Sequence, residues 1–143
     1  MAITQAIPTS FKVELARGLH NFDLSGGDTF KIALYTSSAD LSATTTVYSA
    51  TNEVPNGSGY TTGGATLTRI DPASSGTTGY LDFADAAWVS SSFTARGALI
   101  YNSTNGDRAV AVLDFGADKT SSSSTFTVLF PTADATSAII RIS

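Results

Sequence analysis

The chain has 143 residues, 42% of them hydrophobic and 14% charged, with a formal net charge of −4, one histidine and no cysteine. That length suits one domain with one sizeable core, and the composition is too apolar and too sparsely charged for a disordered chain. Eight scattered Lys and Arg residues leave no electrostatic footprint for a phosphate backbone, so nucleic acid is excluded as a partner, and the missing cysteines exclude a disulfide framework and a thiolate metal site.

In chain order, residues 1–9 are expected to form an N-terminal arm before a single domain over 10–143. The arm is uncharged, carries Ile3 and Ile7, and is held extended by Pro8. A single chain is expected to offer these two isoleucines little to pack against, so Ile3, Ile7 and Pro8 are the candidate interface: ordered against a neighbouring subunit or the surface the protein docks on, mobile in the free protein. The opening "MAITQAIPTSF" lacks the basic start and long apolar stretch of a secretory signal, and no apolar run reaches membrane-spanning length, which predicts synthesis in the cytoplasm and no membrane partner.

Thr9 and Ser10 can cap a helix, and Phe11, Leu15, Leu19 and Phe22 recur on one helical face, so a short helix is expected over roughly 10–18. After "LSGGD" the period becomes two. In "TFKIALYT", Phe30, Ile32 and Leu34 share one face and Lys31, Ala33 and Tyr35 the other, as in a half-buried strand. Alternation returns in "ATLTRI", "GYLDF", "ALIY", "RAVAVLDF", "TFTVLF" and "SAIIRIS", separated by Gly, Asn, Pro, Ser and Thr clusters that read as turns, including "DPASSGTTG" and "GADKTSSSS". Ser121 to Ser124 reads as a mobile hairpin tip. The fold class is therefore mainly β: an antiparallel β-sandwich of about 7–8 strands with one short N-terminal helix. Phe30, Ile32, Leu34, Leu67, Leu81, Phe83, Val110, Val112, Phe126, Val128 and Ile140 are the expected core.

Each chemical signal has a plainer structural explanation. His20 stands at or just past the helix end, where packing suits it better than a triad recruited from distant Ser and Asp. Asp71, Asp82, Asp85 and Asp114 match no calcium-loop spacing and read as turn caps. The glycines of "NGSGYTTGG" have no Lys after them and no following helix to receive a phosphate. Asn56 and Asn102 open triplets of the glycosylation pattern, which a Ser/Thr-rich chain generates by chance. Trp88 with Tyr48, Tyr60, Tyr80 and Tyr101 suggests a sugar-stacking platform, but core packing is the better reading for Trp88. No catalytic residue, cofactor or metal ligand is assigned.

Four stretches, "TFKIALYTSSADL", "YSATNEVPNGSGYTTGGATL", "FADAAWVSSSFTARGALIYNS" and "AVAVLDFGADKTSSSSTFTVLFP", together with "FKVELARGLHNF" before them, resemble a family of small virion structural proteins of tailed bacteriophages over nearly the whole chain. The resemblance implies a non-enzymatic particle component, with capsid decoration or cement ranked first. Its implied partners are the major capsid protein and further copies of itself, as a homotrimer, and its implied location is the virion capsid surface. A tail, neck or fibre-associated module binding host glycans is the alternative, and a hydrolase built around His20 is a distant third. Within the matched stretches, Gly97 is expected to permit close strand approach and Asn105-Gly106 to set a turn.

Overall fold

The computed structural model describes residues 2–143; Met1, the first residue of the expected arm, lies outside the described residues. One helix, α1 (Thr9–Ala16), precedes nine strands among those residues: β1 (Phe30–Tyr35), β2 (Ala65–Thr66), β3 (Arg69–Ser75), β4 (Thr78–Phe83), β5 (Ala86–Ser91), β6 (Thr94–Asn102), β7 (Arg108–Thr120), β8 (Ser124–Val128) and β9 (Ile140–Ile142). All pair antiparallel, in a four-stranded sheet ordered β2-β1-β6-β7, a three-stranded sheet ordered β3-β4-β9 and a two-stranded sheet of β5 and β8. The chain is mainly β, as its period-two patterning requires, with one more strand than the upper expectation.

The two small sheets and α1 form one layer against the four-stranded sheet. Between them lies a continuous apolar core that takes Phe30, Ile32 and Leu34 from β1, Ile100 from β6, Phe83 from β4, Trp88 from β5 and Phe126 from β8. Phe22 stacks on Phe30 at 4.4 Å between ring centroids, and Phe83 meets Phe30 at 5.8 Å. Trp88 sits among Tyr60, Phe93 and Phe126 and is 6% exposed, so it is a core residue.

β1 is not half-buried. Ala33 and Tyr35, on the expected solvent face, are fully covered and join Ile3, Leu41, Leu99, Tyr101 and Val112 in a second core on the far side of the sheet. Its roof is the arm and the long 36–64 connection, which lack regular structure. A strand with cover on both faces cannot be told from a half-buried one by alternation alone when its far-face residues are as small as Ala33 or as amphipathic as Tyr35.

Other expectations change for local reasons. Thr9 is the first helical residue, Pro8 takes the cap position without a side-chain bond, and the Ser10 hydroxyl has no partner; the helix stops at Ala16, with Arg17 and Gly18 N–H groups closing its end. The Ala86–Ser91 strand was not anticipated, because its outward positions Ala87 and Val89 are apolar and blur the alternation. "DPASS" is strand: Pro72 is tolerated because β3 is an outer strand and because the register shifts between Ile70 and Ala73. Likewise β7 runs through "GADKT", with residues 115–118 bulging opposite Arg96 and Gly116 at φ +81° turning the chain. A second bulge leaves Val110 between the pairs Tyr101↔Ala109 and Ile100↔Ala111, so Val110 faces the main core and Val112 the second one rather than both sharing a face. Leu81 is only half-buried. The Ser121–Ser124 tip is tied down: Ser121 is buried, donates its N–H to Phe93 O, and its hydroxyl accepts from Phe93 N–H and from the Ser91 hydroxyl at 2.8 Å, while Ser123 N–H donates to Ser92 Oγ.

Candidate functional site

The arm was expected to find no cover within one chain, and that expectation is corrected. Ile3 is buried, Pro8 is buried and Ile7 half-buried. Thr4 N–H donates to Leu41 O and Leu41 N–H to Ala2 O, while Ala6 and Val112 exchange both main-chain bonds at the outer edge of β7. The seat for Ile3 exists because residue 97 has no side chain. A Cβ there would stand 2.5 Å from Leu113 O and 2.8 Å from Ile3 Cδ1. Gly97 therefore does permit close approach, both across the strand pair and from the arm. The β6–β7 turn, Ser103–Asp107, carries its left-handed conformations at Gly106 and Asp107.

His20 is a packing and hydrogen-bonding residue. Its side chain is inaccessible, 4.8 Å from the Phe11 ring by centroids. Asn102 Nδ2 donates to His20 Nδ1 at 3.0 Å, which leaves the proton on Nε2 to donate to Glu14 Oε1 at 3.0 Å. Arg108 donates to the other Glu14 oxygen at 3.0 Å. The second Asn102 hydrogen goes to Asp28 Oδ2, and Asn102 Oδ1 accepts the N–H groups of Thr104 and Asn105. These bonds fasten α1 and the 23–28 loop to the β6–β7 turn, and no hydroxyl nucleophile enters them.

A second buried hub lies on the opposite face of the sheet. Glu53, 8% exposed, accepts from Tyr48 at 2.6 Å, from Tyr60, and from the N–H of Gly63 at 2.8 Å. Tyr35 donates to Ser49 O at 2.7 Å and Tyr101 to Gly63 O at 2.6 Å, with Tyr48 stacked on Tyr101 at 4.6 Å. Burial first, then the nearby carboxylates, push Tyr101 up to about 12; burial and Glu53 raise Tyr35, Tyr48 and Tyr60 as well. These phenols remain neutral donors that pin the 36–64 connection to the sheet. Tyr60 and Tyr101 are buried and Tyr48 and Tyr80 half-buried, so the sugar-stacking platform is not assembled.

The four aspartates accept backbone N–H groups, as turn caps do: Asp71 from Leu24, Asp82 from Phe83, Asp85 from Phe130 and Asp114 from Gly116. Asp82 is almost fully buried with Oδ2 unpartnered, and burial raises its pKa, with Asp85 and Asp134 adding to the effect.

What remains is a surface. Along one side of the sandwich, beyond the part of β7 that the arm covers at Val112, the edge strands β8 and β9 are followed by three depressions of about 400, 340 and 610 Å³. The first two share Phe115, Val128 and Leu129, and the last two share Ile139 and Arg141, so they form one continuous seam. Leu129 is 76% exposed and Ile142 55%. The signal that marks Leu129 in the sequence is an apolar residue at the outward position of an alternating stretch, just past the end of β8; Ile142 lies within β9. No family model matches the chain, and no curated protein or solved structure is similar to it.

Proposed function

We propose that this chain is a non-enzymatic structural component of a tailed-bacteriophage particle, a capsid decoration or cement protein that stabilises the head through contacts with the major capsid protein and with its own copies as a homotrimer. The resemblance of five stretches spanning nearly the whole chain carries the reading. The interior chemistry is consistent with it: His20, Glu14, Asn102 and Glu53 spend their polar atoms on holding loops and helix to the sheet, while the conspicuous unpaired features are strand edges and exposed apolar side chains. A protein of this kind acts through surfaces repeated many times over a shell, where weak individual contacts reinforce one another.

Localising the chain in a reconstruction of purified particles tests the assignment. Density on the head, at a copy number comparable with the shell subunit, is the expected result, with heads lacking the protein breaking at lower temperature. Density at the tail or neck would transfer the reading to a host-contacting module, and absence from the particle would overturn both.

A further inference from the structure

The seam along β7, β8 and β9 has a counterpart elsewhere on the same molecule. Its rim carries Lys12, Lys119 and Arg141, all exposed; the side-chain carboxylate that lines it, Asp114, is engaged by Arg96 at 3.3 Å, and Arg141, which donates to Thr136 O, has the Asp134 carboxylate near it, so side-chain cations outnumber carboxylates along the seam. The seam is thus locally basic on a chain of net charge −4. Two copies meeting seam to seam would set these cations against each other, so pairing about a two-fold axis through the seam is disfavoured. The 23–28 loop and the outer strand β3 present the complement. Leu24 is 53% exposed, flanked in space by the exposed carboxylates of Asp23 and Asp71, and β3 has no neighbour on its outer side within the sheet. Arg69 reaches from β3 to the carbonyls of Asp23, Leu24 and Asp28, so this apolar and acidic knob is fastened to its strand rather than loose.

We propose that the basic seam is a docking surface for the Leu24 loop and β3 edge of a second copy of this chain, a head-to-tail contact that repeats into a closed ring. This rests on the homo-oligomer part of the reading above and supplies the surfaces it lacked. Leu24 enters the depression between α1 and β9, whose walls are Ile7, Phe11, Leu15 and Ile140, and Asp23 and Asp71 face Lys12 and Arg141 at its rim. An open strand edge on each side lets main-chain bonds add to the contact, which removes the unpaired edges from solvent. Because the two surfaces differ, each copy uses one of each, and a ring with no free surface is the closed product.

The test uses the purified chain and two variants at exposed positions, one in the seam (Lys12→Glu with Arg141→Glu) and one on the knob (Asp23→Lys with Leu24→Asp), with melting temperatures confirming that both fold. Native mass spectrometry and sedimentation of the wild type should show a concentration-dependent closed oligomer, and each variant alone should be monomeric, its self-affinity at least roughly tenfold weaker. Mixed one to one, the variants should form a heterodimer and nothing larger, because each keeps the surface the other lost. A wild type that stays monomeric throughout the micromolar range, or oligomers that survive either variant, would overturn the proposal. So would a seam variant that dissociates while the knob variant does not, since that assigns the seam to another partner. If reconstruction still finds such a chain on the head, the docking surface fails and the virion assignment stands.

Discussion

The two faces of the four-stranded sheet are held by different forces. The inner face is buried mainly by area: Phe30, Ile32, Leu34 and Ile100 meet an opposing layer of aromatic and branched side chains, with the His20 ring and the Tyr60 hydroxyl among the few polar groups that reach it. The outer face is covered by a long connection and an arm without regular structure, which cannot supply ridges of side chains at a fixed spacing. There the cover is fastened by directed bonds, with Glu53, four tyrosine hydroxyls and a few main-chain pairs doing what packing does opposite. Irregular chain can be buried only if its polar groups find partners, so an irregular roof brings a polar hub with it.

The contrast makes ordered predictions. The largest effect is expected at Phe30→Ala, which removes a fully buried ring that stacks on Phe22 and meets Phe83, and should cost about 3–5 kcal/mol in denaturant unfolding, loosening both layers together. Glu53→Gln should cost roughly 1.5–3 kcal/mol, because one carboxamide oxygen cannot serve three donors. Its signature is regional: hydrogen exchange should speed up over residues 48–64 before it does in β6. Equal acceleration everywhere would show that the roof is not a separate unit. Gly97→Ala should cost about 1–3 kcal/mol and release amide protection at Thr4 and Ala6, since the new methyl group occupies the Ile3 seat. Retained protection there would show that the sheet yields instead of the arm.

Alkaline pH should separate the faces without mutation. The folded-state pKa of Tyr101 lies above its unfolded value, so its contribution is fully present below pH 10, and stability falls as pH rises from 10 through about 12. Absorbance of ionised tyrosine should therefore appear together with loss of the outer roof. Asp82→Asn should have the smallest effect. A carboxyl raised by burial favours folding when protonated, and that contribution fades as pH rises through its folded value. The amide should thus raise the melting temperature slightly at pH 7 and flatten its dependence on acid pH. An unchanged acid profile would show that the orphaned oxygen is solvated.

Much of the inner face was legible from the chain. Phe30, Ile32, Leu34, Phe83, Phe126 and Val128 fall on alternating positions, and alternation is a local consequence of strand geometry. Val112 is buried as expected, but in the second core rather than beside Val110, because a bulge resets parity and nothing in "RAVAVLDF" marks where the extra residue lies. The expectation that Ile3 and Ile7 lack cover within one chain failed for a different reason. Their cover comes from residues some 40 and 110 positions away, beyond any window in which a pattern can be read. Trp88 was placed in the core from its apolar surroundings, whereas Glu53 and Glu14 passed unnoticed because an isolated glutamate looks solvated until its donors are brought to it.

Composition and period, which are properties of neighbouring residues, suffice to specify a mainly β, antiparallel fold with turns where glycine and asparagine permit them. Tertiary packing is what buries β1 on both sides, lays the arm against the chain's own sheet, makes His20 a structural donor and leaves the edges of β8 and β9 beside an apolar seam. Each of these depends on which distant segment arrives at a given surface, and that is settled by the free energy of the whole packed chain rather than by any stretch of it.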